Sequence, residues 1–136
     1  MDELVKVDFP GGKRVDARLG LTFIPTDQRP ENGGEGSAPA PFQLFLASIA
    51  TCAGILALNF CEARELPTDG MSLTMSGDWD QKGNRFTRLY IHLQLPEGFP
   101  DKYRRSIIRA MDLCPVKKQI INPPEFLIEA DSASAL

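Results

Sequence analysis

From Ala40 to Glu65 the sequence reads APFQLFLASIATCAGILALNFCEARE, and no other stretch constrains the fold as much. At about 100° per residue, Phe45, Ser48, Ile49, Cys52, Ile55, Leu56 and Asn59 fall on one face of a helix. Ala47, Ala50, Gly54, Ala57 and Cys61 cover much of the remainder. A helix apolar nearly all round must be buried. Its small residues let another backbone approach closely. Pro41 suits the first turn, where a missing N–H costs nothing, and LPTDG at 66–70 supplies the stop. Ser48, Thr51 and Asn59 interrupt the run, so a buried core helix is expected in preference to a membrane span.

The rest of the chain must cover that helix. Residues Glu3 to Asp8, Val15 to Ala17 and Leu19 to Ile24 read as strands, with Pro10-Gly11-Gly12 as a tight turn between the first two. The segment PTDQRPENGGEGSAPAP, 25–41, has no hydrophobic period and is expected to be a long functional loop. Residues 71–79 and 86–95 alternate about the turn DQKGN, which predicts a β-hairpin with one apolar face. A second helix is expected over 101–113, then a break at Cys114-Pro115, a short helix over 116–121, and a last strand from Phe126 to Glu129. The order predicts an α+β fold, in one domain spanning 1–136.

Composition narrows the chemistry. A net charge of −3 gives no reason to expect nucleic acid or an acidic membrane as partner. The start, MDELVKVDF, is acidic from its second residue and has no apolar core of a signal peptide, so a cytoplasmic protein is expected. Arg104, Arg105 and Arg109 read as a solvated helix face, and His92 as an exposed strand residue. GGEGSAP lacks the pattern of a phosphate loop. The three cysteines, Cys52, Cys61 and Cys114, have no short spacing, and His92 is the one histidine. That pattern fits neither a disulfide framework nor a metal site, so no metal and no cofactor are expected.

Cys52 and Cys61, nine residues apart, point to opposite faces of the first helix. Either reads as a small buried hydrophobe. Cys114 carries more information. Pro115 pushes it out of helical geometry and starts a new turn, so Cys114 is predicted at a helix N-cap with Lys117 and Lys118 close behind. Backbone N–H groups and lysines there favour thiolate. Two cysteines on two helices, with no metal motif, fit a thiol redox pair, in which a sulfenic acid formed by peroxide condenses with a second thiol. Filling of the core is the alternative, and spacing alone leaves the choice open.

GGEGSAPAPFQLFLASIATCAG, followed some sixty residues later by DLCPVKK, resembles the OsmC/Ohr family of thiol-dependent peroxidases. The resemblance covers nearly the whole chain. It implies antiparallel sheets wrapped around two long central helices in an intertwined homodimer, with active sites at the interface. By that resemblance Cys52 is the peroxide-attacking cysteine, Cys114 the resolving cysteine, and Cys61 has no role. The implied reaction is reduction of organic hydroperoxides in an oxidative stress response, with a Cys52–Cys114 disulfide regenerated by a dithiol partner (a lipoyl protein or a thioredoxin-like one). Arg14 is the first choice for the arginine that supports the thiolate, with Arg29 or Arg18 as substitutes. The family's glutamate position, ten residues before the first cysteine, holds Phe42, and Gln43 follows. Phe42, Gln43 and Arg29 are therefore read as pocket residues, in a mouth more apolar than usual, and Glu31 or Glu35 as replacement carboxylates. Binding of a small hydrophobic ligand at the same interface pocket, without peroxidase chemistry, is the alternative function, and a structural dimer with inert cysteines a third.

Overall fold

The computed structural model describes residues 2–133. Three antiparallel strands come first: β1 (Lys6–Gly11), β2 (Arg14–Leu19) and β3 (Thr22–Ile24), in the order β1-β2-β3. Gly11 and Gly12 make the β1–β2 turn with φ of 145° and 58°, values that favour glycine. α1 (Pro41–Ala63) follows the long loop, then the hairpin β4 (Ser72–Asp80) and β5 (Arg85–Gln94), α2 (Arg104–Asp112) and α3 (Pro115–Ile121). The described residues divide into two compact units, 2–51 and 52–133.

In the first unit the loop before α1 is ordered by one carboxylate. Asp27, 1% exposed, accepts the Gln28 N–H on Oδ1 at 2.7 Å. Its Oδ2 accepts the Ser37 hydroxyl at 2.6 Å, the Ser37 N–H at 3.1 Å and the Glu35 N–H at 3.3 Å. Gly34 lies inside this clasp; a Cβ there would stand 2.0 Å from the Gln28 carbonyl oxygen, so only glycine fits. The donors hold the Asp27 carboxyl down at about 2, the Ser37 hydroxyl contributing most. A carboxyl depressed on folding stabilises the fold above the unfolded value near 4, and that stabilisation fades as pH falls through the folded value near 2. Asp27→Ala is accordingly expected to lower the thermal midpoint at neutral pH by roughly 5–10 °C. The gap between the two proteins should shrink as acid is added over that window. A constant gap down to the lowest pH would remove Asp27 as its source.

The second unit is built around the C-terminal half of α1. Ala57, Phe60, Cys61 and Ile107 form its buried centre, with Leu66, Met71, Leu93, Leu95, Phe99, Tyr103, Ala110 and Met111 packed against it. Met71 and Leu93 belong to the apolar side of the hairpin, which alternates as its sequence requires. A register shift between Asp78 and Trp79 turns Trp79 onto Phe86, edge to face at 4.9 Å. α1 ends in a left-handed Glu65, φ 55°, with the Leu66 N–H reaching back to the Cys61 carbonyl at 2.9 Å. The stop therefore comes ahead of LPTDG.

Two expectations change. Residues 126–129 form no strand: Phe126 and Leu127 are each 80% exposed and Ile128 94%. Alternation gives a segment strand character, but a ladder needs a partner edge, and none meets it within the described residues. α1 is also less covered than an all-round apolar helix demands. Ile49, Ala53, Ala57, Phe60 and Cys61 are buried, while Phe42, Phe45 and Ile55 are roughly half exposed. By length and composition alone α1 could cross a membrane.

Candidate functional site

Pro115 decides where the second thiol goes. It ends α2 and begins α3, so Cys114 takes an extended backbone, φ −60° and ψ 119°, at the N-cap of α3. Its Sγ accepts the Lys117 N–H at 3.4 Å. Burial of Ile107 on the core holds α2, and α2 delivers Cys114 to the part of α1 that belongs to this unit. There Cys52 lies on α1, near enough to Cys114 for each thiol to shift the other's acidity, and both are free cysteines. The predicted N-cap position of Cys114 is present.

The pair is electrostatically uneven. The Cys52 thiol is pushed up, first by donating its hydrogen bond to the Cys114 sulfur, then by burial and by the negative charge Cys114 carries when ionised; the Val116 N–H works the other way. For Cys114, burial pushes up as well, but the hydrogen bond from Cys52, the N–H groups of Lys117 and Val116 and the Lys117 ammonium outweigh it, and the net direction is down. Lys117 also pairs with Asp112 of α2. Cys114 is 3% exposed, whereas Cys52 is more open to solvent. Cys61 is fully buried, with a thiol raised by desolvation, as its place in the core requires.

The remaining candidates lie in the first unit. Arg14 opens β2 and its Nη2 reaches Asp16 Oδ2 at 3.4 Å. Among the described residues, Asp16 Oδ1 is a buried side-chain oxygen with no hydrogen-bond partner. Arg18 pairs with Asp8 at 3.0 Å. Arg29 is exposed, and its carbonyl accepts the Asn32 and Gly34 N–H groups. Phe42 is 51% exposed and its ring meets Phe45 at 5.6 Å. Gln43, read from sequence as a pocket residue, takes part in the helix start. Its Oε1 accepts the Ala40 N–H at 2.9 Å, half of a capping box at the beginning of α1. Glu31 and Glu35 are exposed. Among the described residues, no group of three or more His, Cys, Asp or Glu side chains gathers to hold a metal.

Sequence reasoning missed Asp16, Asp27 and the Val116 N–H. Asp27 could have been found as an aspartate opening a Gly/Ser-rich loop. Nothing local marks Asp16 beyond its place two residues from Arg14.

Two neighbouring free thiols, one of them at a helix N-cap, have the chemistry to cycle between dithiol and disulfide. Residues 34–129 match the sequence profile of the family described as OsmC-like protein. The chain belongs to that family. Solved structures share its fold. A protein of Psychrobacter arcticus 273-4, ascribed to the osmotic-stress and detoxification response, is 22% identical, with a TM-score of 0.74 over 88% of each chain. The OsmC-like protein of Mycoplasma pneumoniae is 15% identical, with a TM-score of 0.67 over 90% of this chain and 91% of that one. The organic hydroperoxide resistance protein OsmC of Legionella pneumophila is 21% identical, with a TM-score of 0.58 over 85% and 86%. No curated protein matches the sequence. The α+β, antiparallel architecture expected of the OsmC/Ohr resemblance is thus that of the chain.

Proposed function

We propose that this OsmC-like protein is a cysteine-dependent peroxidase that reduces organic hydroperoxides in the cytoplasm. The observation that carries the reading is the free Cys114 thiol at the N-cap of α3, accepting the Lys117 N–H at 3.4 Å, with the Cys52 thiol of α1 near enough for the two to shift each other's acidity. Cys52, the more open sulfur, attacks the distal peroxide oxygen and becomes a sulfenic acid; Cys114 condenses with it to a disulfide, and a dithiol protein returns both to thiols. The half-exposed Phe42, Phe45 and Ile55 support a homodimer in which a second copy covers that side of α1. A second reading, binding of a small hydrophobic ligand without peroxide chemistry, draws its support from the exposed Phe42–Phe45 ring pair.

The test is stoichiometric. Reduced protein given one equivalent of cumene hydroperoxide is expected to lose two thiols and to yield a single cross-linked peptide pair containing Cys52 and Cys114. Thiols that survive the peroxide, or a Cys52 carried on to sulfinic acid beside a free Cys114, would count against the mechanism and favour the ligand-binding reading.

A further inference from the structure

The loop between β3 and α1 carries a chemical liability that its own turn imposes. Residues Pro30–Asn32 make a single turn of 3-10 helix, and Gly33 closes it with φ 90° and ψ 2°. That left-handed backbone favours glycine. Asn32 is therefore followed by a residue with no side chain to shield its backbone nitrogen from the asparagine amide. The other asparagines, Asn59, Asn84 and Asn122, precede Phe60, Arg85 and Pro123, so Asn32–Gly33 is the sole Asn–Gly step of the sequence. Both of its residues are exposed.

The fold works against the reaction this step invites. The Gly33 N–H donates to the Pro30 carbonyl at 3.0 Å, and the Asn32 and Gly34 N–H groups donate to the Arg29 carbonyl at 2.9 and 3.0 Å. The two ends of the segment, Gln28 and Glu35, give their N–H groups to the Asp27 carboxylate. The Gly36 N–H returns to the Gln28 carbonyl at 2.9 Å. The nitrogen that would attack is thus occupied by another carbonyl, in a segment that cannot turn without loosening the clasp.

We propose that Asn32–Gly33 is a deamidation site, kept slow by the Asp27 clasp and exposed to reaction when the clasp opens. Asparagine amides are thermolabile groups. The Gly33 nitrogen leaves the Pro30 carbonyl, loses its proton to water and bonds to the Asn32 Cγ. The bond from Cγ to the amide nitrogen breaks, and that nitrogen departs as ammonia, taking a proton. The cyclic imide left behind is opened by water to aspartate or isoaspartate at position 32. In sum, one asparagine and one water become one acid and one ammonia, with no change of oxidation state. The new carboxylate arises beside a cation: a Cβ placed on Gly33 would stand 3.4 Å from Lys13 Cε. The isoaspartate form also lengthens the main chain within the turn that Gly33 closes. The lifetime of the loop is therefore set by local opening in the first unit, independently of any thiol chemistry.

The test compares the rate of conversion at Asn32 in the folded protein, in the same full chain unfolded in urea, and in folded Ser37→Ala and Asp27→Asn. All are held at mildly alkaline pH and read by peptide mapping with mass spectrometry. Ser37→Ala removes a donor that reaches Asp27 at 2.6 Å; Asp27→Asn removes the charge all four donors share. Asp69–Gly70, in the second unit and remote in sequence from the clasp, reports isoaspartate formation as the internal control. The folded wild type is expected to convert at Asn32 about tenfold or more slowly than the unfolded chain, and both variants several-fold faster than the folded wild type, with the rate at Asp69 unchanged. Equal rates at Asn32 in the folded and unfolded wild type would overturn the guard. Variants that match the wild type would overturn the role of Asp27. Should Asp27→Asn speed Asp69 as well, it has unfolded throughout, and Ser37→Ala decides.

Discussion

Cys52→Ser is expected to lower hydroperoxide consumption in the presence of a dithiol by about a thousandfold or more, to the rate of the reductant alone. A serine hydroxyl does not ionise in the range where a thiol does, so the atom meeting the peroxide would lose its nucleophilic form. The remaining Cys114, 3% exposed, has little access to a solute and is not expected to take over the attack. Equal consumption by wild type and variant would leave ligand binding as the function.

The second large effect concerns stability. Ile107 is 1% exposed and sits in the buried centre with Ala57, Phe60 and Cys61. Ile107→Ala is expected to cost about 2–5 kcal/mol, through lost transfer energy and the cavity left behind, read as a lower midpoint in urea unfolding. Partial collapse of the neighbours sets where in that range it falls. The same residue anchors α2, whose end delivers Cys114, so disulfide formation per peroxide should also slow. Cys52→Ser should leave the unfolding midpoint nearly unchanged. A loss below about 1 kcal/mol for Ile107→Ala would mean that Tyr103, Met111 and Leu93 refill the space, since Met and aromatic neighbours adapt.

Much of this arrangement is legible in the residues themselves. Pro41 marks the start of α1, and Cys114-Pro115 marks the α2–α3 junction, because proline restricts its own backbone and that of its predecessor. The N-cap position of Cys114 follows from that restriction alone. The alternation of β4 and β5 carries the hairpin, though the shift at Asp78/Trp79 does not announce itself. What escapes reading depends on partners far away in sequence. Residues 126–129 alternate like a strand and form none, because pairing is a property of two segments. The bond from the Ala40 N–H to the Gln43 amide oxygen is likewise not announced by the residues alone. Asp27 looks like an ordinary loop residue, and its four donors arrive from positions up to ten residues on.

The clasp at Asp27 makes residues 28–37 a preformed template. A segment tied by four hydrogen bonds to one carboxylate, with a glycine locked against its own backbone, incurs little ordering entropy when something settles against it. It also has little freedom to remould itself around a molecule of the wrong shape. Any selectivity written into that loop is therefore selectivity by fit, fixed before encounter, and it would change by replacing Asp27 or Gly34 even though neither residue need touch what binds.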